Sequence, residues 1–563
     1  MQSKSSLSDS PTIKERWPEG AIVYHIYPRS LQDSNGDGIG DLQGIISRLD
    51  YIKSLGVNAV WLSPFYPSPM ADFGYDVAEF CDVDPIFGTL DDFKQLLQEA
   101  GKRDIKVMID LVPNHTSDEH PWFIESAKSR DNKYADWYIW QDPKFEEGSS
   151  VPQPPNNWID MFGGESAWQW VPARQQYYLH TFDVRQPDLN WTNPEVREAI
   201  KDVMRFWLDL GVDGFRVDAV YFMGKDPMFD DDLDNPYYEE GRDDRSNALR
   251  RENSQGWPMV YGYVREMSEV FKEDKYKDKE LFMVVETYPD RHNSVASYMA
   301  FYVSMDPKLV APFNFGGITV PWEAHEWRKF LKTFHTATDH YSPHCVASYA
   351  FGNHDLPRLI DRIGHEAAAR SAAVLLLTLP GMAFIYYGEE IGMHNVDIPP
   401  EFVHDPQAKR NPHQPAGRDP VRTPMQWSTE KYGGFTTGDT TWLPMAADFR
   451  DNNVAVQEKD PNSFLSLYRR LGQLRNQEPA LKRGSIEIID VGAAEVVGFI
   501  RRHETGKNYL VLINFAAFAA VCQPGVKRDE FVLSSDPNTQ LGNQTKHKLT
   551  LLPYEAAIFS LSE

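Results

Sequence analysis

Residues 193–220, NPEVREAIKDVMRFWLDLGVDGFRVDAV, read as one helix delivered straight into one strand. Asn193 offers a side-chain oxygen to the helix's first free N–H groups, and Pro194 takes the first helical position, where a missing N–H costs nothing. Val196, Ile200, Val203, Trp207 and Leu210 fall on one face, and Gly211 supplies a left-handed stop. The run GFRVDAV then reads as a strand. An upstream unit follows the same grammar. Thr89 caps with Asp92, the face is Leu90, Phe93, Leu96, Leu97 and Ala100, Gly101 ends the helix, and VMIDLV (107–112) is the strand.

Such runs recur eight times, near residues 22–27, 59–62, 107–112, 214–220, 282–286, 310–315, 346–351 and 383–387. Eight parallel strands with helical returns predict an α/β fold, a TIM (β/α)8 barrel. The gap between the third and fourth runs is too long for one helix with its loops. Its first part is rich in Pro, Gly and Trp, so residues 117–183 are expected to form a small inserted domain between barrel segments 1–116 and 184–482. From residue 483 the pattern changes to alternating strands with turn signals, predicting a C-terminal antiparallel β-sandwich over 483–563.

With 57 Lys plus Arg against 82 Asp plus Glu, the net charge is −25, which repels phosphate backbones and anionic membranes. Nucleic-acid and membrane partners are therefore not expected. The apolar run 371–387 is broken by Pro380-Gly381 and reads as helix then strand rather than a membrane span. Cys81, Cys345 and Cys522 show no CxxC spacing, and the polar start MQSKSSLSDSPTIKERW has no apolar core of a signal peptide. A cytoplasmic protein, monomeric or a small homo-oligomer, is the expectation.

Function on this architecture belongs at the carboxyl ends of the barrel strands. That list is acidic: Tyr75-Asp76 follows strand two, Asp110 lies in strand three before Asn114-His115, Arg216 and Asp218 close strand four, Glu286 closes strand five, and Asn353-His354-Asp355 follow strand seven. Carboxylates on such flanks must be paired, hydrogen-bonded or functional. Asp218, Glu286 and Asp355 together suit glycosidic hydrolysis, which needs a proton donor, a nucleophile or base, and negative charge beside an oxocarbenium-like transition state. No GxSxG, GxxxxGK, HExxH or complete GxGxxG motif is present. Arg216, two residues before Asp218 on one strand face, is expected to keep that carboxylate ionised, whereas the apolar run before Glu286 is expected to raise its pKa.

DLVPNH (110–115), GFRVDAV (214–220), MVVE ending at Glu286, and GNHD (352–355) resemble the four characteristic blocks of the alpha-amylase family of glycoside hydrolases. QPDLN (186–190) and GRDPVRTPMQW (417–427) resemble further blocks of its alpha-glucosidase and oligo-1,6-glucosidase branch. The resemblance implies Asp218 as nucleophile, Glu286 as general acid/base and Asp355 as transition-state stabiliser, with retention through a covalent glucosyl-enzyme. It further implies that His115, His354 and Phe182 contact the sugar and that Tyr75 is its aromatic platform. Asp76 and Arg422 would clamp the non-reducing end, Arg418 being the alternative to Arg422.

The loop Asp33-Ser-Asn35-Gly-Asp37-Gly-Ile39-Gly-Asp41 alternates oxygen side chains with glycines, as a hard cation prefers. Gly44 stands where an EF-hand would need Glu, so an EF-hand is rejected. The loop instead resembles the calcium loop of bacterial alpha-glucosidases, implying structural Ca2+ on Asp33, Asn35, Asp37, the Ile39 carbonyl and Asp41. The six tryptophans Trp122, Trp137, Trp140, Trp158, Trp168 and Trp170 of the insert read as core before sugar platforms. The acidic stretch 229–245 reads as a solvated rim with no catalytic role.

The expected activity is exo-acting hydrolysis of short α-linked glucosides, chiefly α-1,4, with a small carbohydrate as partner. Ala219 after the nucleophile leaves α-1,6 cleavage, transglucosylation and trehalose-synthase-like isomerisation open. A non-catalytic relative or a plain carbohydrate-binding module would not need all three carboxylates and both motif histidines.

Overall fold

The computed structural model describes residues 16–288, 294–411, 413–539 and 548–562. Eight strands form one parallel sheet: β1 (Ile22–Ile26), β2 (Ala59–Leu62), β3 (Lys106–Leu111), β4 (Gly214–Val217), β5 (Phe282–Val285), β6 (Val310–Pro312), β7 (Ser348–Ala350) and β8 (Met382–Tyr386). Their order is β6-β5-β4-β3-β2-β1-β8-β7, and a parallel bridge between Asn314 and Tyr349 joins the two outer strands. The sheet is thus closed into the expected barrel. Nearly every strand residue is buried, as a parallel sheet wrapped by helices requires.

The helix Pro194–Leu210 starts as its sequence dictates, with the Asn193 side chain accepting from the Glu195 N–H, and stops at Gly211 with φ of 112°. Its apolar face carries Trp207, fully buried against Phe65, Tyr66 and Phe93. Truncating such a ring to alanine costs about 3–5 kcal/mol. At the helix Leu90–Gly101 the Thr89–Asp92 capping box forms.

Between β3 and β4 lies a three-stranded antiparallel sheet of Trp140–Gln141, Gln176–Leu179 and Trp168–Val171. Trp137, Trp140, Trp158 and Trp168 are buried there, Trp158 and Trp168 packing with Phe229, so these rings are core. After the barrel, Ser485–Ile489, Val496–Arg502, Asn508–Asn514, Ala556–Leu561 and Arg528–Ser534 make a five-stranded antiparallel sheet. Ala520–Cys522 pairs with Leu549–Leu551 to cover its other face, burying Leu510, Leu512, Leu549 and Leu551. No helix among the described residues is long and apolar enough to cross a membrane.

Candidate active site

Strand register assembles the acidic centre. Val217 of β4 pairs with Val285 of β5, so Asp218 and Glu286 are the next residues on adjacent strands. The Asp218 N–H donates to the Leu111 carbonyl and the Glu286 N–H to the Val217 carbonyl, both at 2.8 Å, which fixes the two backbones where the ladder ends. Arg216 stands opposite Asp110 across β3 and β4. Side chains alternate along a strand, so Arg216 and Asp218 share a face.

The buried Arg216 guanidinium bridges the group. Its Nη1 lies 2.7 Å from Asp110 Oδ1 and 2.6 Å from Asp218 Oδ1, and its Nη2 lies 2.7 Å from Glu286 Oε1. The second Glu286 oxygen accepts from the Ala219 N–H at 2.9 Å. Glu286 therefore sits on a cation and a backbone donor, not in the apolar pocket that the run before it suggests. The Asp218 pKa moves upward rather than down. Burial is the main cause, Glu286, Asp110 and Asp355 add to it, and Arg216 opposes without prevailing. Burial also pushes Asp110 up to about 6 against the pull of Arg216. At Asp218 and Asp110 burial outweighs the pull of the shared guanidinium.

A cavity of about 520 Å³ opens over this centre, of a size that suits a small ligand. Asp218, Glu286, Asp355, Tyr75, His115, His354 and Phe182 all line it. The Tyr75 and His354 rings are parallel within 1° at 5.3 Å, and Tyr75 donates to Asp110 Oδ2 at 3.2 Å. Burial lowers the His115 pKa to about 4 and holds His354 well below the ordinary histidine range, so both rings are neutral near pH 7. The His115 ring is already engaged, Nε2 lying 3.1 Å from the Tyr75 carbonyl and Nδ1 3.2 Å from the Asn114 amide. His354 Nδ1 is buried with no hydrogen-bond partner among the described residues.

Of the two arginines the sequence offers for the clamp, Arg418 lies on the cavity wall and Arg422 does not, and Asp76 is also absent from that wall. Asp76 is fully buried off the cavity, accepting from the Ala71 and Asp72 N–H groups at 2.7 and 2.9 Å, and burial raises it to about 6. Arg422 lies behind the cavity wall, donating to the His354 carbonyl at 2.9 Å and to Asp355 Oδ1 at 3.1 Å. The pair on the cavity is Asp72 with Arg418, at 2.6 Å. Asp405, which sequence reading missed, holds Arg418 from behind through Nε at 2.8 Å and Nη2 at 2.7 Å. The chain turns sharply between Asp72 and Asp76, with left-handed φ at Phe73 and Gly74, so four residues of sequence separate a cavity group from a buried one.

Lys225 and Asp188 form a second buried ion pair at 2.7 Å. Asp188 also accepts from the Thr181 N–H and hydroxyl, fastening the end of the insert, with Phe182, to the loop after Asp218.

In the loop 33–41, Asp33 accepts from the N–H groups of Asn35, Gly36 and Gly38 and from the Thr436 hydroxyl. Asp41 caps the helix Leu42–Ser54 and accepts from Ser34, while Asn35 and Asp37 bond each other at the surface. The donors are all oxygen, as a hard cation prefers. Among the described residues, no group of three or more His, Cys, Asp or Glu side chains alone is gathered to hold a metal ion, and the set expected here also draws on Asn35 and the Ile39 carbonyl.

The sequence profile described as "Alpha amylase, catalytic domain" matches residues 25–484. A probable alpha-glucosidase of Rhizobium meliloti (strain 1021) is 41% identical over 91% of this chain and 92% of its own. An oligo-1,6-glucosidase of Parageobacillus thermoglucosidasius is 35% identical over 97% of this chain and 99% of its own. The crystal structure of an alpha-glucosyl transfer enzyme, XgtA, superposes with a TM-score of 0.86 at 37% identity, covering 98% of this chain and 100% of that one. Together with these matches, the carboxylate-lined pocket at the carboxyl end of the (β/α)8 barrel marks the chain as a glycoside hydrolase. The chain belongs to the alpha-amylase family.

Proposed function

We propose that the protein is an exo-acting, retaining alpha-glucosidase that removes terminal α-linked glucose, chiefly α-1,4, from short oligosaccharides. The observation that carries this reading is Arg216 bridging Asp218 and Glu286 side by side beneath a cavity on which Asp72 and Arg418 pair. Asp218 attacks the anomeric carbon as Glu286 delivers a proton to the departing glycosidic oxygen, leaving a glucosyl ester on Asp218. Glu286, now a base, takes a proton from water, which displaces Asp218 and frees glucose of unchanged configuration. Asp355 supplies negative charge beside the oxocarbenium-like transition state, and Tyr75 and His354 present ring faces to the sugar.

A purified sample given maltose and isomaltose in parallel, with products followed by proton NMR, tests this. Faster loss of maltose with α-glucose appearing first supports it, whereas β-glucose as the first product or preference for isomaltose overturns mechanism or linkage respectively. Glucosyl transfer is a second reading, favoured by the likeness to an alpha-glucosyl transfer enzyme.

Two further assignments belong to the same proposal. The loop 33–41 takes structural Ca2+ on Asp33, Asn35, Asp37, the Ile39 carbonyl and Asp41. Three unpaired thiols, Cys81, Cys345 and Cys522, support a reducing, cytoplasmic setting.

A further inference from the structure

Behind the wall that carries Asp355, the mechanism leaves a buried acid unused. Glu389 follows β8, and its Oε1 accepts from the Tyr468 hydroxyl of the helix Phe464–Gln477 at 2.9 Å. Its Oε2 is buried with no hydrogen-bond partner among the described residues. That oxygen stands against Gly352, the first residue of GNHD: a Cβ on Gly352 would lie only 3.0 Å from it, so glycine lets the carboxyl approach the backbone. Gly352, Arg358, Tyr386, Glu389 and Tyr468 line a small cavity of about 10 Å³, with room for no more than about one water molecule. A charge there is poorly hydrated.

The segment 351–362 hangs on two arginines beside this acid. Arg358 donates through Nη1 to the Tyr387 carbonyl and through its backbone N–H to Asn395, both at 2.9 Å, while its Nε and Nη2 are buried with no hydrogen-bond partner among the described residues. Arg362 donates to the Phe351 carbonyl and, at 2.8 Å, to that of Gly317, and its Nε is likewise without a hydrogen-bond partner among the described residues. Between these anchors the Asn353 side chain accepts from the N–H groups of Asp355 and Leu356 at 3.0 and 3.1 Å, folding the turn that presents Asp355 to the catalytic cavity. A shift at Phe351 or Gly352 passes to Asp355 through this turn.

Burial pushes Glu389 up to about 7, with Glu390 adding to the rise and Tyr468, Arg362 and the Tyr386 backbone opposing it. Glu390 is held by the Tyr24 and Tyr51 hydroxyls, both at 2.7 Å, and burial raises it too. Nearer the surface, His394 pairs with Asp361 at 2.6 Å and ties the same two segments together. We propose that Glu389 is a positioning residue for Asp355. Protonated, its carboxyl rests against Gly352 and leaves Arg362 on the Phe351 carbonyl; ionised, it draws that guanidinium to itself, shifts GNHD and takes Asp355 from its place beside the reacting sugar. This deepens the glucosidase reading above and rests on it.

α-Glucosyl fluoride separates this device from Glu286, because fluoride leaves the anomeric carbon with the bonding electrons as Asp218 attacks and needs no proton from an acid. In the wild type, kcat/KM is expected to fall about tenfold per pH unit above a midpoint of about 7. Tyr468 lines no part of the catalytic cavity, yet Tyr468→Phe removes a hydrogen bond that favours the ionised carboxyl, so it is expected to raise the midpoint by about 0.5–1 unit. Glu389→Gln is expected to keep the acid-side rate and abolish the fall, whereas His394→Gln should leave the fall in place. No fall in the wild type, an unmoved midpoint in Tyr468→Phe, a fall retained in Glu389→Gln or one abolished in His394→Gln would each overturn the proposal, and Tyr468→Phe alone decides it if Glu389→Gln does not fold. A wild type that releases no fluoride at any pH would defeat the glucosidase reading itself, and this inference with it.

Discussion

Arg418 places its Nη2 2.6 Å from Asp72 Oδ1, and the pair joins the loop after β2 to the loop after β8 across one end of the cavity. On the proposed exo-acting reading, a charged pair here matches the hydroxyls of a terminal glucose. Asp72→Asn and Arg418→Lys are expected to cut kcat/KM on maltose about tenfold to a hundredfold, from lost charge-assisted hydrogen bonds of about 1.5–3 kcal/mol. Steady-state kinetics checks this, and an unchanged kcat/KM would remove the clamp.

Asp188 and Lys225 are buried together, so breaking the pair strands a charge. Asp188→Ala is expected to destabilise the fold by about 3–5 kcal/mol, and Asp188→Ala with Lys225→Met together by clearly less. Denaturant unfolding of the three chains measures the difference. Equal loss in single and double variants would show that the ion pair does not matter.

His335, on the helix Ala324–Tyr341, is hydrogen-bonded to Tyr349 of β7 at 2.9 Å, and burial lowers its pKa to about 3. The folded form keeps the ring neutral while the unfolded chain protonates it below its ordinary value of 6.5. Its contribution to stability is therefore present above pH 6.5 and lost as pH falls toward 3. Relative to His335→Gln, the wild type should lose about 2 kcal/mol between pH 7.5 and pH 5, at about 1.4 kcal/mol per pH unit. Urea unfolding at the two pH values reads this, and a constant gap would contradict it.

If the loop 33–41 takes calcium, chelation lowers the melting temperature and added Ca2+ restores it, because a ligand bound only to the folded state stabilises it by mass action. An unchanged melting curve, with no calcium found by elemental analysis, would contradict that assignment.

The barrel was legible because eight apolar runs are buried on both sides and helices such as Leu90–Gly101 and Pro194–Leu210 carry their own capping residues. Asp218, Glu286 and Asp355 were legible for a related reason, since a carboxylate ending such a run has no apolar role. The Asp72–Arg418 pair was legible only in part: the motif 417–427 offers Arg418 as one of two arginines, while Asp72 and Asp405 come from loops without periodicity and a tight turn separates the motif residue Asp76 from the cavity. Nor did local sequence reveal the surroundings of Glu286: the FMVV run before it is apolar, yet Arg216 reaches it from the neighbouring strand. Pairing between strands decides electrostatics that no single segment records.

The central claim is that Asp218 becomes covalently bonded to glucose. Incubation with 5-fluoro-α-glucosyl fluoride, which slows release of the intermediate more than its formation, followed by peptide mass spectrometry, tests it most directly. The account predicts one fluoroglucosyl unit on the peptide containing Asp218, with labelling abolished in Asp218→Asn. A label on Glu286 or Asp355, or its persistence in Asp218→Asn, would contradict it.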